Sequence, residues 1–314
     1  MIRRAFLSRP VGHFLCAMLA CTLAAASASA QQTRDSFTPQ LGQSGKDVMW
    51  LPSHDQVANM MLRLAAVTPR DYVVDLGSGD GKIPIAAARD YGVRALGLEY
   101  NADLVELSKR RAREAGLEAK VKFEKADIFE SDYSSATVVT LYLLPELNLR
   151  LRPTLMKMKP GTRIVSNSFE MGSWSPDETA FIGTTKAMLW VIPAHVAGTW
   201  TVSYQRKQPA APATINLRQN FQKLEGEGVL SQARMSLQYA RLRASDVSFE
   251  VRDDKGALLS YKAKVEGNRM VGTVSSSRGA RIAFQAQRGD APVPFAEAKA
   301  TPEEEAEAVR ALGR

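Results

Sequence analysis

Cysteine is nearly absent from this chain of 314 residues, and histidine is scarce. The two cysteines, Cys16 and Cys21, both fall within the first thirty residues, and the three histidines lie far apart in the sequence. The rest of the chain therefore holds no disulfide and no thiolate nucleophile, and it lacks the clustered side chains of a zinc site or a Ser-His-Asp triad. We expect no metal site.

Acidic residues are missing from residues 1–30, which have a basic start, an apolar centre over 11–26 and small residues at 28–30. This layout is typical of a cleavable secretory signal, and we expect cleavage after Ala30. An uncleaved anchor and a lipoprotein attached at Cys21 are the alternatives. Arg3 and Arg4 precede two large apolar residues and resemble a twin-arginine signal, although paired arginines also occur by chance. The sequence thus predicts a periplasmic or secreted protein without a membrane span after processing.

The surplus of positive charge is modest. The formal net charge is +8, and it is +5 without residues 1–30 and their three arginines. On a chain of this size such a surplus gives little support for a nucleic-acid partner, so none is predicted. An acidic protein surface stays open as a partner, and the oligomeric state is not predictable from these features.

Apolar periodicity predicts strands that alternate with helices between residues 54 and 169. The predicted helices cover 54–66, 82–90, 102–115 and 146–158, and the predicted strands cover 72–76, 94–99, 121–124, 137–144 and 162–169. This alternation predicts an α/β fold with a Rossmann-like, doubly wound sheet. Two later strands, 187–192 and 199–205, are close in sequence and are predicted to pair with each other in antiparallel fashion.

Beyond residue 206 the periodicity changes to two. A linker over 207–213 is followed by an antiparallel β module over 214–290, with about six strands in a half-barrel or sandwich and hairpin turns at 253–256 and 266–268. A C-terminal tail over 291–314 contains a helix that starts after Thr301. The predicted order is therefore a signal peptide (1–30), a flexible segment (31–48), a cofactor-binding domain (49–206), the linker, the β module and the tail.

The motif with the clearest chemistry is DLGSGDGK, residues 75–82, which follows a predicted strand and opens a predicted helix. Its glycines allow a sharp turn and the close approach of a ligand. A dinucleotide site requires the spacing G-x-G-x-x-G, but here the third glycine comes one residue early and Lys82 stands in its place. The spacing of a P-loop is also absent.

The cofactor that fits these features is S-adenosylmethionine, which has no phosphate and carries an ammonium and a sulfonium. Acids lie at the ends of three predicted strands: Asp75, at the end of the first, suits a cationic ligand; Glu99, at the end of the second, can accept the ribose hydroxyls; and Asp127, after the third, can accept the adenine amino group. Taken singly, these features could be a tight strand–helix junction, a helix-capping acid and a turn residue. The predicted cofactor-binding residues are Trp50, Pro52, Asp75, Gly77, Ser78, Gly79, Asp80, Gly81, Glu99, Tyr100, Asp127 and Ile128.

Residues 46–205 resemble the class I, seven-strand methyltransferases, and within them the lysine N-methyltransferase family that includes the enzyme acting on the ATP synthase c-subunit. The resemblance rests on residues 75–83, 97–99, 127–129, 137–145 and 161–169, followed by Trp174-Ser175-Pro176. It implies S-adenosylmethionine as cofactor, methyl transfer to a lysine side chain, and a parallel sheet whose last strand is antiparallel. The family usually has arginine where this chain has Lys82. The β module lies outside the resemblance.

Methyl transfer from a sulfonium requires alignment and exclusion of water rather than an acid–base pair. The acceptor should lie at the C-terminal end of the fourth strand, where Tyr142 is predicted to orient an amine; alternatively, Tyr142 only packs in the strand. The Asn-Pro-Pro-aromatic motif of many amine methyltransferases is absent there. Trp50 is predicted as a lid residue, or else as a packing residue, and Asn167 and Glu170 are expected at the same rim.

These features predict an exported protein-lysine N-methyltransferase with a lysine-bearing protein as its partner. One alternative is a methyltransferase for a small molecule. Another is an envelope protein that binds S-adenosylmethionine or another ligand without turnover. The leader supports that last alternative, because S-adenosylmethionine is made in the cytosol and is too polar to cross a bilayer unaided.

Overall fold

The computed structural model describes residues 37–42, 46, 53–205, 213–230, 233–253, 256–289, 295 and 298–312. The predicted signal peptide lies outside these residues, as do Trp50, Pro52 and most of the predicted linker. Among the described residues, no helix is both long and apolar enough to cross a membrane.

The first half of the described chain forms a seven-stranded sheet in the order β3-β2-β1-β4-β5-β7-β6. Its strands are β1 Tyr72–Leu76, β2 Arg94–Glu99, β3 Val121–Lys125, β4 Val138–Leu141, β5 Arg163–Asn167, β6 Glu178–Ile182 and β7 Thr185–Val191. The helices are α1 Asp55–Leu64, α2 Lys82–Tyr91, α3 Ala102–Glu114 and α4 Pro145–Leu155. Strands β1 to β5 are parallel, and β7 is antiparallel to its neighbours. The predicted doubly wound sheet with an antiparallel last strand is confirmed.

The central strands are buried on both faces, as is usual for a parallel sheet covered by helices. Val73 and Val138 face one apolar core with α1 and α2, whereas Val74 and Val139 face the other core with α4. Strand β4 ends at Leu141, three residues earlier than predicted, because Pro145 opens α4. Proline suits the first turn of a helix, where its missing N–H has no intrahelical partner.

The predicted pairing of 187–192 with 199–205 is wrong. Strand β7 lies between β5 and β6, so both of its edges are occupied within the first sheet. The segment 199–205 falls in β8, Gly198–Tyr204, which pairs with strands of a second sheet. Strand β6 is not among the predicted strands, because its side chains lack apolar alternation and Phe181 is exposed.

In the described part of the chain, the second sheet has nine antiparallel strands in the order β11-β10-β9-β8-β16-β15-β14-β13-β12. Its strands after β8 are β9 Thr214–Asn220, β10 Lys223–Leu230, β11 Ala233–Ser236, β12 Gln238–Arg243, β13 Asp246–Arg252, β14 Leu258–Glu266, β15 Arg269–Ser276 and β16 Arg281–Arg288. The predicted β module therefore has eight strands of its own and also takes in β8. Its two predicted hairpin turns join β13 to β14 and β14 to β15.

The two ends of this sheet approach each other, which makes it a nearly closed barrel rather than the predicted half-barrel or sandwich. The N–H of Leu237, just before β12, donates to the carbonyl of Gly226 in β10 at 3.0 Å. Inside the barrel, the hydroxyls of Tyr204 and Tyr261 are hydrogen-bonded at 2.8 Å, and Phe249 stacks on Tyr261. A barrel of this kind leaves few open strand edges.

A completely buried arginine on α4 connects the first domain to the C-terminal helix α5, Pro302–Leu312. The guanidinium of Arg152 donates from Nη1 to Glu304 Oε1 at 2.7 Å and from Nη2 to Oε2 at 2.8 Å. It also donates to the carbonyls of Met171, Ala298 and Lys299. The buried charge is therefore both paired and fully hydrogen-bonded, as its desolvation requires.

Glu304 also belongs to the N-terminal capping box of α5. Its carboxylate accepts from the N–H of Thr301 at 2.8 Å, and its own N–H donates to Thr301 Oγ1 at 3.2 Å. The N–H of Ser173 is a further donor to it. Chiefly because of the Arg152 hydrogen bond, the pKa of Glu304 is held well below its usual range. A Cβ at Gly172 would lie 2.4 Å from Glu304 Oε1, so this close approach requires glycine.

The barrel packs on the first domain through an aromatic cluster. Trp174 stacks on Phe221, between β9 and β10, with ring centroids 5.6 Å apart. Its indole N–H donates to Gln222 Oε1 at 3.0 Å, and the indole N–H of Trp190 donates to the Trp174 carbonyl at 2.7 Å. These buried rings join the loop after β5 to the turn of a barrel hairpin.

Replacing Glu304 by alanine should lower the free energy of unfolding by about 3 kcal/mol, because it leaves the Arg152 charge buried and unpaired. Urea unfolding measures this. The difference from wild type should be complete above the ordinary glutamate pKa and should shrink as the pH falls through the depressed pKa. Glu305→Ala, on the exposed side of α5, is the matched control and should cost less than about 0.5 kcal/mol. Equal losses of unfolding free energy in Glu304→Ala and Glu305→Ala would contradict the stabilising role of the Arg152–Glu304 pair.

Candidate functional site

The glycine motif forms a tight loop at the C-terminal end of β1. Gly77, Gly79 and Gly81 all have positive φ angles, of 78°, 53° and 80°, a region that side chains disfavour. The N–H groups of Gly77 and Ser78 both donate to the carbonyl of Leu98 in β2, at 2.9 and 3.0 Å. The loop is thereby fixed against the neighbouring strand, and α2 begins directly after it.

Glu99, at the end of β2, holds this loop through its carboxylate. Its Oε2 accepts from the N–H of Gly79 at 2.9 Å, and its Oε1 accepts from the N–H of Asn101 at 2.8 Å. Each carboxylate oxygen keeps a second lone pair, so Glu99 can still accept hydroxyl donors from a ligand. The role of a structural acid and the predicted role at a ribose are therefore compatible.

Asp75 lies buried beneath the loop, where Thr140 Oγ1 donates to its Oδ1 at 2.6 Å. Burial raises the pKa of Asp75 to about 7; the hydrogen bond from Thr140 opposes this shift, and the charges of Glu99 and Asp80 add to it. Asp80 itself is paired with Arg111 at 2.5 Å. The loop therefore surrounds an excess of negative charge that a cationic ligand would relieve, which fits the ammonium and sulfonium of S-adenosylmethionine.

Asp127, after β3, already has two donors. The ammonium of Lys46 lies 2.5 Å from its Oδ2, and the N–H of Phe129 donates to its Oδ1 at 2.9 Å. These bonds, that of Lys46 first, lower the pKa of Asp127. Lys46 also lies 5.0 Å from the ring centroid of Tyr100, which is half exposed. The Lys46 side chain is 40% exposed and that of Asp127 is 14% exposed, so a ligand amino group that donates to Asp127 would have to take the place of the Lys46 ammonium.

Two aromatic rings stand together at the ends of β4 and β5. Tyr142 stacks on Phe169 with ring centroids 6.2 Å apart and an interplanar angle of 22°. Asn148 of α4, which is fully buried, donates to the carbonyls of Phe169 and Glu170 at 3.3 and 3.2 Å. Phe169 is not among the predicted site residues. Its position at the C-terminal end of a predicted strand is a feature of the sequence that could have identified it.

The two polar residues expected at this rim differ in exposure. Asn167 is buried and accepts from the hydroxyl of Ser168 at 2.9 Å, so its side chain is turned into the protein. Glu170 is exposed and pairs with Lys186 at 2.6 Å. Of the two, Glu170 is the one that a substrate can reach directly.

The strand order brings the predicted residues to one edge of the sheet. Asp75 lies in β1 and Glu99 is the last residue of β2, whereas Asp127 and Tyr142 follow β3 and β4. The strands are neighbours in the order β3-β2-β1-β4. Ile128 is half-buried against the core beside them. Within the described part of the chain, no group of three or more His, Cys, Asp or Glu side chains is placed to hold a metal ion.

The family model of the ANTKMT methyltransferase domain matches residues 75–178. A protein-lysine N-methyltransferase of Saccharolobus islandicus is 41% identical over 133 residues, which are 42% of this chain and 83% of that enzyme. The lysine N-methyltransferase of the ATP synthase c-subunit of Mus musculus is 35% identical over 111 residues, 35% of this chain and 44% of that enzyme. This chain therefore spans less than half the length of the mouse enzyme.

Among solved structures, an RNA methyltransferase from Salinibacter ruber in complex with S-adenosyl-L-homocysteine is 46% identical. The match covers 46% of this chain and 96% of that one, with a TM-score of 0.46. Each of these matches covers less than half of this chain.

Binding of S-adenosylmethionine should weaken about tenfold between pH 8 and pH 6, because Asp75 must lose its proton to face a cationic ligand. Isothermal titration calorimetry of the wild type and of Asp75→Asn tests this. The variant should bind more weakly at pH 8 and should lose most of the pH dependence. If the pH dependence of binding is the same in Asp75→Asn as in the wild type, a group other than Asp75 is responsible for it.

The same variant should stabilise the ligand-free protein at pH 8. A carboxyl group whose pKa is raised contributes stability below its unfolded pKa, and this contribution is lost as the pH rises through about 7. Asparagine avoids the buried charge and can still accept from Thr140, so the melting temperature at pH 8 should rise by a few degrees, on the order of ~3 °C. The difference should shrink as the pH falls below 7 and should vanish only near the ordinary aspartate pKa, at about pH 4.

Proposed function

Because this chain belongs to the class I S-adenosylmethionine-dependent lysine N-methyltransferases, we propose that it methylates a lysine side chain of a protein. The observation that carries the proposal is the single sheet edge where acids lie at the C-terminal ends of β1 and β2 and just after β3, and an aromatic pair follows β4 and β5. The acids suit a cationic cofactor, and the rings suit the amine that accepts the methyl group.

S-adenosylmethionine supplies an electrophilic methyl group on its sulfonium. On the side of the protein, the loop over 77–81 lets the backbone approach the ligand closely, and Asp75 contributes the charge that favours a cation. Glu99 is positioned to accept the ribose hydroxyls, and Asp127 to accept the adenine amino group in place of Lys46. Each of three neighbouring strand ends would therefore contact a different part of the ligand.

The acceptor amine must be neutral to attack, and it must lie in line with the methyl group. Tyr142 and Phe169 offer apolar ring faces that can hold the lysine chain and exclude water. Removal of water disfavours the charged ammonium and therefore lowers the pKa of the lysine. Asn148 and Ser166 hold the Phe169 carbonyl and so fix the position of that ring.

Tyr142→Ala and Phe169→Ala should each lower kcat/KM about tenfold or more, because each removes one ring of the aromatic pair proposed to hold the acceptor lysine. Tyr142→Phe keeps the ring and should stay within about threefold of wild type if the ring face is what matters. The measurement is transfer of labelled methyl from S-adenosylmethionine to protein extracts. Phe181→Ala, an exposed aromatic on β6, is the control and should be neutral.

The same assay separates the alternatives. Label on lysine after protein hydrolysis supports the proposal. Label on small molecules or on RNA, with none on protein, would replace the lysine substrate by another acceptor. Cofactor binding without transfer to any fraction would favour a binding protein.

We also propose that the protein is exported, which is supported by the three-part layout of residues 1–30. Cell fractionation of the full chain with a C-terminal tag tests this proposal. The expected result is a periplasmic product cleaved after Ala30, with Arg3→Lys/Arg4→Lys retained in the cytoplasm and Arg9→Lys exported normally. An uncleaved cytoplasmic wild type would contradict export, and export of the double variant would contradict the twin-arginine route.

A further inference from the structure

The outer face of the barrel carries a groove of about 540 Å³ that is lined by four cationic side chains. Arg241 and Arg243 extend from β12, and Lys262 and Lys264 extend from β14. Among the described residues, Asp246 on β13 is the only acid that lines the groove. The groove therefore has a net charge of +3, a concentration of positive charge that the modest charge of the whole chain does not suggest.

The strand register arranges these cations in two parallel rows. In one row, Arg243 is opposite Asp246, and Asp246 is opposite Lys264. In the other, Arg241 is opposite Ser248, and Ser248 is opposite Lys262. A third set of lining residues, Val271 and Thr273, continues both rows on β15. The long Arg and Lys side chains of β12 and β14 thus lie on either side of the short side chains of β13.

Two of the four cations have no acidic partner among the described residues, namely Arg241 and Lys262. The other two form ion pairs at the surface. Lys264 is 3.3 Å from Asp246, and Arg243 is 2.6 Å from Glu178. Both members of each pair are substantially exposed. Exposed pairs of this kind contribute about 0–1 kcal/mol each. An anionic ligand can therefore take over these cations at little cost.

We propose that this groove binds an extended acidic segment of a partner protein. Lys262 and Lys264 are two residues apart on one strand, so they point to the same side at a spacing of about 6.6 Å. Acidic residues at alternate positions of an extended peptide have the same spacing. The arginines on β12 lie two strands away, about 10 Å across, and their planar guanidinium groups can bind carboxylates through two hydrogen bonds.

The lining of the groove disfavours two other anionic partners. No aromatic ring of the described chain lines it, whereas proteins that bind single-stranded nucleic acid stack bases on such rings. Val271 is the only large apolar side chain that the described lining exposes, which is too little to insert into the surface of a membrane. An acidic polypeptide needs neither feature.

The groove is independent of the proposed methyl transfer, because it lies away from the cofactor edge of the first sheet. Arg243 contacts Glu178 at the start of β6, whose partner in β7 is Leu189. Leu189 pairs in turn with Val165 at the middle of β5, and the strand order puts β6 four strands away from β1 and five away from β2. A partner held in the groove therefore leaves the sheet edge with Asp75 and Glu99 open.

Fluorescence anisotropy of a labelled eight-residue peptide of alternating Glu and Ser, added to the full chain, tests the proposal. Lys262→Ser/Lys264→Ser should weaken binding about tenfold, since it removes two charge pairs. The control is Arg218→Ser/Lys223→Ser, on β9 and β10. It removes the same charge from exposed positions of the same barrel, and it also disrupts one exposed ion pair, that of Arg218 with Glu225. The control should change binding less than about twofold.

A charge reversal makes the test independent of any loss of folding. Lys262→Glu/Lys264→Glu should lose the acidic peptide and gain binding of a peptide of alternating Lys and Ser. Equal weakening in the control pair, or no binding of the acidic peptide by the wild type, would overturn the proposal. So would tighter, groove-dependent binding of oligouridine or of phosphatidylglycerol vesicles, which would assign the groove to nucleic acid or to lipid.

Discussion

The parallel pairing of β1 with β2 on one side and with β4 on the other is the constraint on which the site depends. Parallel strands deliver all their C-terminal ends to one edge, so residues that are far apart in the chain become neighbours there. The register places Asp75 beside Gly97 and Thr140, and the loop after β1 bonds to the last residues of β2. If this pairing slipped by one residue, the acids would no longer converge.

The proposed methyl-transfer site lies in the first domain, and the groove proposed to bind an acidic segment lies on the barrel. The barrel meets the first domain at both ends of its strands: the N–H of Ala194 donates to the carbonyl of Ala244 at 2.7 Å near the N-terminal end of β5, and Phe221 stacks on Trp174 in the loop after β5. Gly161, just before β5, lies close to Ala244 as well. The placement of the two proposed sites in different domains would let recognition and methyl transfer be altered separately by mutation.

Much of the site could be predicted because its signals are local. Glycine spacing and an acid near the C-terminal end of each strand are features of short segments, and the strand order then brings them together. Contacts between distant segments could not be predicted in this way: Lys46 reaches Asp127 across 81 residues of sequence, and Phe169 meets Tyr142 only once β4 and β5 pair. The barrel has more strands than predicted because strands such as β10, with Gly226 and Gly228, lack a strict apolar alternation.

The pairing of Arg152 with Glu304 makes the first domain depend on residues that the ribosome adds 152 positions later. Until Glu304 emerges, α4 would have to bury a guanidinium without its carboxylate, and the core around it stays incompletely stabilised. Folding of this chain is therefore expected to finish only after the C-terminal helix is made. A partly synthesised chain would remain recognisable to quality control as unfinished.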